Sequence, residues 1–89
     1  MTYKISILED AEDDLAWFRK NDKNSYVKCF DLVRAIADEP REGIGKPERL
    51  KYIEGEAYSR RVSQEHRMIY TIYEKDKEID ISSFKGHYE

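Results

Sequence analysis

The sequence predicts an α+β domain in which a helical hairpin covers one face of an antiparallel or mixed sheet. Three observations predict it. A β-branched run opens the chain, and apolar residues then recur at helical spacing through two segments that end at Pro40. Beyond residue 57 the spacing changes to period two. With 89 residues the chain is expected to form a single domain over residues 1–89 with a limited core. Charged residues make up 39% of it, against ~25% in typical domains, which suits a small sheet with one solvated face or helices with strongly polar outer faces.

Tyr3–Leu8 reads as a buried strand. Glu9, Asp10, Glu12, Asp13 and Asp14 follow, and acidic side chains favour the N-terminal end of a helix. Leu8, Ala11, Leu15 and Phe18 continue that helix. Asn21–Asn24 is a break. The second helix is expected from about Asn24 to Glu39, with Tyr26, Phe30, Val33 and Ala37 as its apolar stripe, and Pro40 ends it. Gly43–Pro47 is a loop. Pro47 stiffens the position before Glu48. Three strands are then expected at Tyr58–Gln64, His66–Glu74 and Ile79–Phe84, with turns at Glu54–Glu56 and Lys75–Lys77. Alternation directs Met68, Tyr70 and Ile72 to the helices and Arg67, Ile69, Thr71 and Tyr73 to the other face. Arg60 and Arg61 point to opposite faces, so Arg61 and Arg67 share a side if the hairpin register allows.

The net charge of −3 signals no whole-chain attraction to nucleic acid, but the charge is uneven. Residues 1–40 carry a net of −3, whereas residues 46–67 carry +2 from Lys46, Arg49, Lys51, Arg60, Arg61 and Arg67 against four glutamates. A local basic patch on an acidic protein still binds phosphate. Cys29 is the single cysteine, which excludes an internal disulfide and a cysteine-based metal site. It sits next to the apolar stripe of the second helix and reads as a small core hydrophobe. The sequence has no run suited to a signal peptide or membrane span. A cytoplasmic location is expected, with no cofactor, no metal and no membrane partner.

Glu48, Arg67, His87 and Tyr88 are a carboxylate, a guanidinium, an imidazole and a phenol. RNA cleavage by internal attack needs a base for the 2′-OH proton, a cation for the phosphorane charge and an acid for the leaving 5′-oxygen. The nucleophile belongs to the substrate, so no serine, cysteine or metal is required. His66, beside Arg67, reads as structural. By residue type alone, Glu48, Arg67 and His87 also fit solvated roles, and spacing does not distinguish the two.

Three separated motifs do. Gly43–Lys51 (GIGKPERLK), Ser59–Tyr70 (SRRVSQEHRMIY) and the terminal Phe84–Tyr88 resemble the YoeB/Txe toxins, a branch of the RelE-like bacterial mRNA interferases. The resemblance covers nearly the whole chain. It implies a RelE/ParE-like fold and a toxin of a type II toxin–antitoxin pair that cuts mRNA in the ribosomal A site. It implies Glu48 as general base, Arg67 as the cation at the scissile phosphate, His87 as general acid and Tyr88 in substrate positioning. Lys46, Lys51 and Arg61 are the basic residues expected near RNA. The implied partners are the ribosome with its mRNA, a YefM/Axe-like antitoxin and a second toxin copy, with operator DNA reached only through the antitoxin complex. The alternative is a non-catalytic protein of the same fold, either a gyrase inhibitor or an inactive toxin that serves as an antitoxin-binding co-repressor. Three positions depart from the family pattern. Tyr58 stands for a frequent tryptophan, Arg49 for a common proline, and Glu89 extends the chain past His-Tyr.

Overall fold

The computed structural model describes residues 2–86. Strand β1 (Lys4–Ile7) leads into helix α1 (Glu9–Asn21) and helix α2 (Lys23–Asp38). Strands β2 (Glu48–Arg49), β3 (Glu56–Arg61), β4 (Arg67–Tyr73) and β5 (Glu78–Ser83) follow. The sheet order is β1-β5-β4-β3-β2. The last four strands form an antiparallel meander, and β1 lies parallel to β5 at the edge. The expected α+β architecture is therefore present, with a mixed sheet.

Helix α1 starts on the acidic turn Glu9, Asp10 and Glu12. Asp22 separates the helices and caps α2: its side chain accepts from the Ser25 amide at 3.1 Å and from the Ser25 hydroxyl at 2.7 Å. These bonds hold the Asp22 carboxyl below its ordinary value of 3.8. The buried face of α2 is one residue away from the expected stripe. Ser25, Cys29, Leu32 and Ile36 face the sheet, while Tyr26 and Val33 flank them, only partly buried. The apolar band of this helix is wide enough that spacing alone does not find its centre. Cys29 is fully buried and burial pushes its thiol up to about 12, so it packs as a core hydrophobe.

The main core joins these helices to Met68, Tyr70, Ile72, Ile79, Ile81 and Phe84, as alternation along β4 required. The other face carries a small cluster of Leu50, Ala57 and Ile69, with Ile53 packed against it.

Strand ends differ from expectation for local reasons. β3 stops at Arg61 because the Ser63 hydroxyl captures the amides of Glu65 and His66, both at 3.2 Å, and turns the chain. β3 begins at Glu56 rather than after it. The Glu56 carboxylate is gripped by the Arg41 guanidinium at 2.6 and 3.0 Å. Arg41 also reaches Glu74 (3.0 Å), which accepts from the Tyr3 hydroxyl (2.6 Å) and pairs with Lys77. This network ties together Tyr3 just before β1, the loop after α2, the start of β3 and the β4–β5 connection. The two-residue β2 was not expected as a strand. Burial of Leu50 and its amide bond to Ala57 O (2.9 Å) hold it against β3.

Candidate functional site

The adjacent arginines of β3 occupy opposite faces. Arg60 is fully buried on the helix side. Its Nε donates to the Tyr70 hydroxyl (3.0 Å), Nη1 to Ile44 O (3.1 Å), and Nη2 to Glu39 O and Glu42 O (both 2.8 Å). Tyr70 in turn donates to Pro40 O at 2.6 Å. A buried cation thus supplies donors to carbonyls at and beyond the C-terminal end of α2, where the helix dipole favours positive charge. Arg60 therefore does not belong to the basic surface patch that the sequence suggested. It shapes the loop that carries the chain toward Glu48.

Arg61 is exposed on the other face, and register pairs it directly with Arg67. Glu48 pairs with Ser59 and so projects on the same face. Strand spacing puts the Glu48 and Arg67 Cα atoms about 12 Å apart, with Arg61 between them in the sheet order. Among the described residues, neither Arg61 nor Arg67 has a carboxylate within salt-bridge distance. Like charges directly opposite across a ladder are unfavourable. A phosphate placed between them would relieve that repulsion and would suit the bidentate geometry of a guanidinium.

The approach to Glu48 is tightly built. Gly45 O accepts the Arg61 amide at 2.7 Å, and Gly45 has φ of +84°. A Cβ there would sit 2.8 Å from Leu32 Cδ2 and 3.1 Å from Arg60 Cβ. Lys46 follows, exposed, next in sequence to the Gly45 carbonyl that binds the Arg61 amide. Lys51 is exposed in the connection back to β3, past buried Leu50. Arg49 points to the opposite face from Glu48. It lies 5.9 Å over the Tyr58 ring and donates to Gly55 O at 3.4 Å. Two of the departures from the family pattern are therefore in contact, and neither adds charge beside Glu48. His87, Tyr88 and Glu89 lie outside the described residues.

Three further residues lie outside the expected set: Ser59 on this face, and His66 and Asp14 on the helix side of the sheet. Ser59, opposite Glu48, has a buried hydroxyl without a partner among the described residues. His66 is wedged edge-on against Phe18, with ring centroids 5.1 Å apart, and its Nδ1 accepts the Gly86 amide at 3.1 Å. Asp14 accepts the amides of Phe84 and Lys85 at 2.9 and 3.1 Å. Only the Glu-His-Arg motif hinted at His66, and nothing local marked the other two. Among the described residues no enclosed pocket forms, so the site is an open sheet face. No group of three or more His, Cys, Asp or Glu side chains among them is arranged to hold a metal.

This fold is shared with toxins of bacterial toxin–antitoxin systems. The YoeB dimer structure from Staphylococcus aureus superposes with a TM-score of 0.84, at 39% identity, covering 99% of this chain and 100% of the other. The toxin of the heterotetrameric YoeB-YefM toxin-antitoxin complex from the same organism gives 0.80 at 40% identity, again over 99% and 100%. In sequence, the toxin YoeB of Synechocystis sp. is 42% identical over 86 residues, which are 97% of this chain and 98% of that one. The profile for YoeB-like toxins of bacterial type II toxin-antitoxin systems matches residues 8–88. The chain belongs to that family.

Proposed function

We propose that the protein is a ribosome-dependent endoribonuclease that cleaves mRNA in the A site and so inhibits translation. The observation that carries this reading is the Arg61–Arg67 pair, lacking a carboxylate partner among the described residues and set beside Glu48 on the open sheet face. Glu48 takes the proton of the 2′-OH, and the 2′-oxygen attacks phosphorus. Arg67, aided by Arg61, stabilises the charge that builds on the phosphorane oxygens. The P–O5′ bond breaks and His87 gives its proton to the leaving oxygen. The products are a 2′,3′-cyclic phosphate, or the 3′-phosphate that its hydrolysis gives, and a 5′-OH. Tyr88 positions the substrate, and Lys46 and Lys51 attract the RNA backbone.

Gly86, the residue before His87, accepts the Arg67 amide at 3.0 Å, so the chain leaves β5 toward the proposed cation. The Staphylococcus aureus complex supports a YefM-like antitoxin as partner, and the dimer supports pairing of two toxin copies. Ribosomal mRNA as substrate implies a cytoplasmic site of action. Expression without antitoxin tests the reading. Wild-type protein is expected to arrest growth and to give A-site breaks in toeprints. Glu48→Ala, Arg67→Ala and His87→Ala are expected to do neither, and arrest by all three variants overturns the assignment.

A further inference from the structure

We propose that Asp14 and His66 are positioning residues that fix the path by which the chain after β5 reaches Arg67. The inference rests on the nuclease reading above and names two residues that this reading does not use. The argument begins with a register shift. Tyr70 pairs with Ile81 but Ile69 pairs with Ser83, so β5 carries an irregularity and then leaves the ladder. Phe84 turns into the core and is fully buried. The next backbone donors find no strand partner. Asp14 takes two of them, the amides of Phe84 and Lys85, with one carboxylate oxygen. His66 Nδ1 takes the third, the amide of Gly86. Gly86 then returns a carbonyl to the Arg67 amide. Three consecutive amides are thus satisfied by side chains from α1 and from the residue before β4, each fixed elsewhere in the fold.

Both acceptors are held in place. Phe18 and Trp17 contact the His66 ring edge-on at 5.1 and 6.1 Å, which sets the direction of Nδ1. Asp14 lies one turn before Phe18 on α1, half-buried, with no cation in salt-bridge distance among the described residues. Lys85 lays its ammonium 4.6 Å over the Trp17 ring and fixes the third side of the path. Gly86 has φ of +111° with open space where a Cβ would stand, so its role is the backbone turn. A small error in the direction of a terminal acid costs rate steeply, up to about a hundredfold per ångström.

Amide exchange by NMR and single-turnover cleavage on programmed ribosomes test this together. In Asp14→Ala and His66→Ala, exchange at Lys85 and Gly86 should accelerate. Cleavage should slow roughly ten- to a hundredfold, with ribosome affinity unchanged. His66→Asn, which keeps an acceptor near the Nδ1 position, should recover most of the rate, an outcome that lost ring packing does not give. If Asp14→Ala does not fold, Asp14→Asn retains an acceptor without the charge and should show a smaller effect of the same kind. Unchanged exchange overturns the clamp, and accelerated exchange with wild-type cleavage overturns its positioning role. Wild-type protein that cleaves nothing overturns the nuclease reading instead, and the exchange rates still decide whether Asp14 and His66 hold the segment.

Discussion

Arg60 and Arg61 are neighbours in sequence and opposites in use. Arg60 is buried, its donors are spent on three carbonyls and a tyrosine hydroxyl, and it holds the loop after α2. Arg61 is exposed and faces another arginine with no carboxylate near either among the described residues. One face of the sheet satisfies its charge internally. The other leaves charge unsatisfied, which is the condition for attracting a charged ligand. The pleat of β3 alone makes the difference, since adjacent residues on a strand point to opposite sides.

The largest effect expected to follow from this contrast is on stability. Arg60→Ala strands the carbonyls of Glu39, Glu42 and Ile44 and removes the Tyr70 partner, and should cost about 3 kcal/mol in urea unfolding. Arg60→Lys should recover only part, because one ammonium cannot reproduce the fork. Arg61→Ala should shift stability by less than about 0.5 kcal/mol. Equal costs for the two alanine variants would break the comparison.

Binding should sort the arginines the other way. Arg61→Ala and Arg67→Ala should each weaken association with a 2′-O-methylated single-stranded RNA. Each should reduce the salt slope of log K by about 0.7. Residual binding by folded Arg60→Lys should keep the wild-type slope.

The smallest effect lies at the far end of the sheet. Lys77, Tyr3 and Arg41 hold the Glu74 carboxyl down at about 2 from an ordinary 4.5. A depressed carboxyl stabilises the folded state above the ordinary value, and that contribution is lost as pH falls from 4.5 toward 2. Glu74→Gln should therefore melt below wild type at neutral pH, and the gap should close in acid and shrink in high salt. A gap that persists at pH 2 would mean that packing, not charge, carries the network.

The helical hairpin and the facing of β4 were legible because apolar periodicity reports burial directly. Arg67 and Arg61 could be placed on one face by the same rule. The rule also sent Arg60 to the helix side, yet its charge was counted with the surface. Composition gives no sign that carbonyls 16 to 21 residues away wait to accept it. β2 was illegible because two residues have no period. What holds it is Leu50 meeting Ala57 and Ile69 across the sheet. The path of the segment after β5 was illegible for the same reason at longer range, since Asp14 lies some 70 residues from the amides it binds.

Single-turnover cleavage on programmed ribosomes, with product ends mapped, tests the central claim most directly. The open face predicts wild-type products ending in a 2′,3′-cyclic phosphate or 3′-phosphate and a 5′-OH. It predicts a folded Arg67→Ala that, at saturating ribosome concentration, cleaves at least about a hundredfold more slowly. Wild-type cleavage by that variant, or fragments bearing 5′-phosphates, would contradict it.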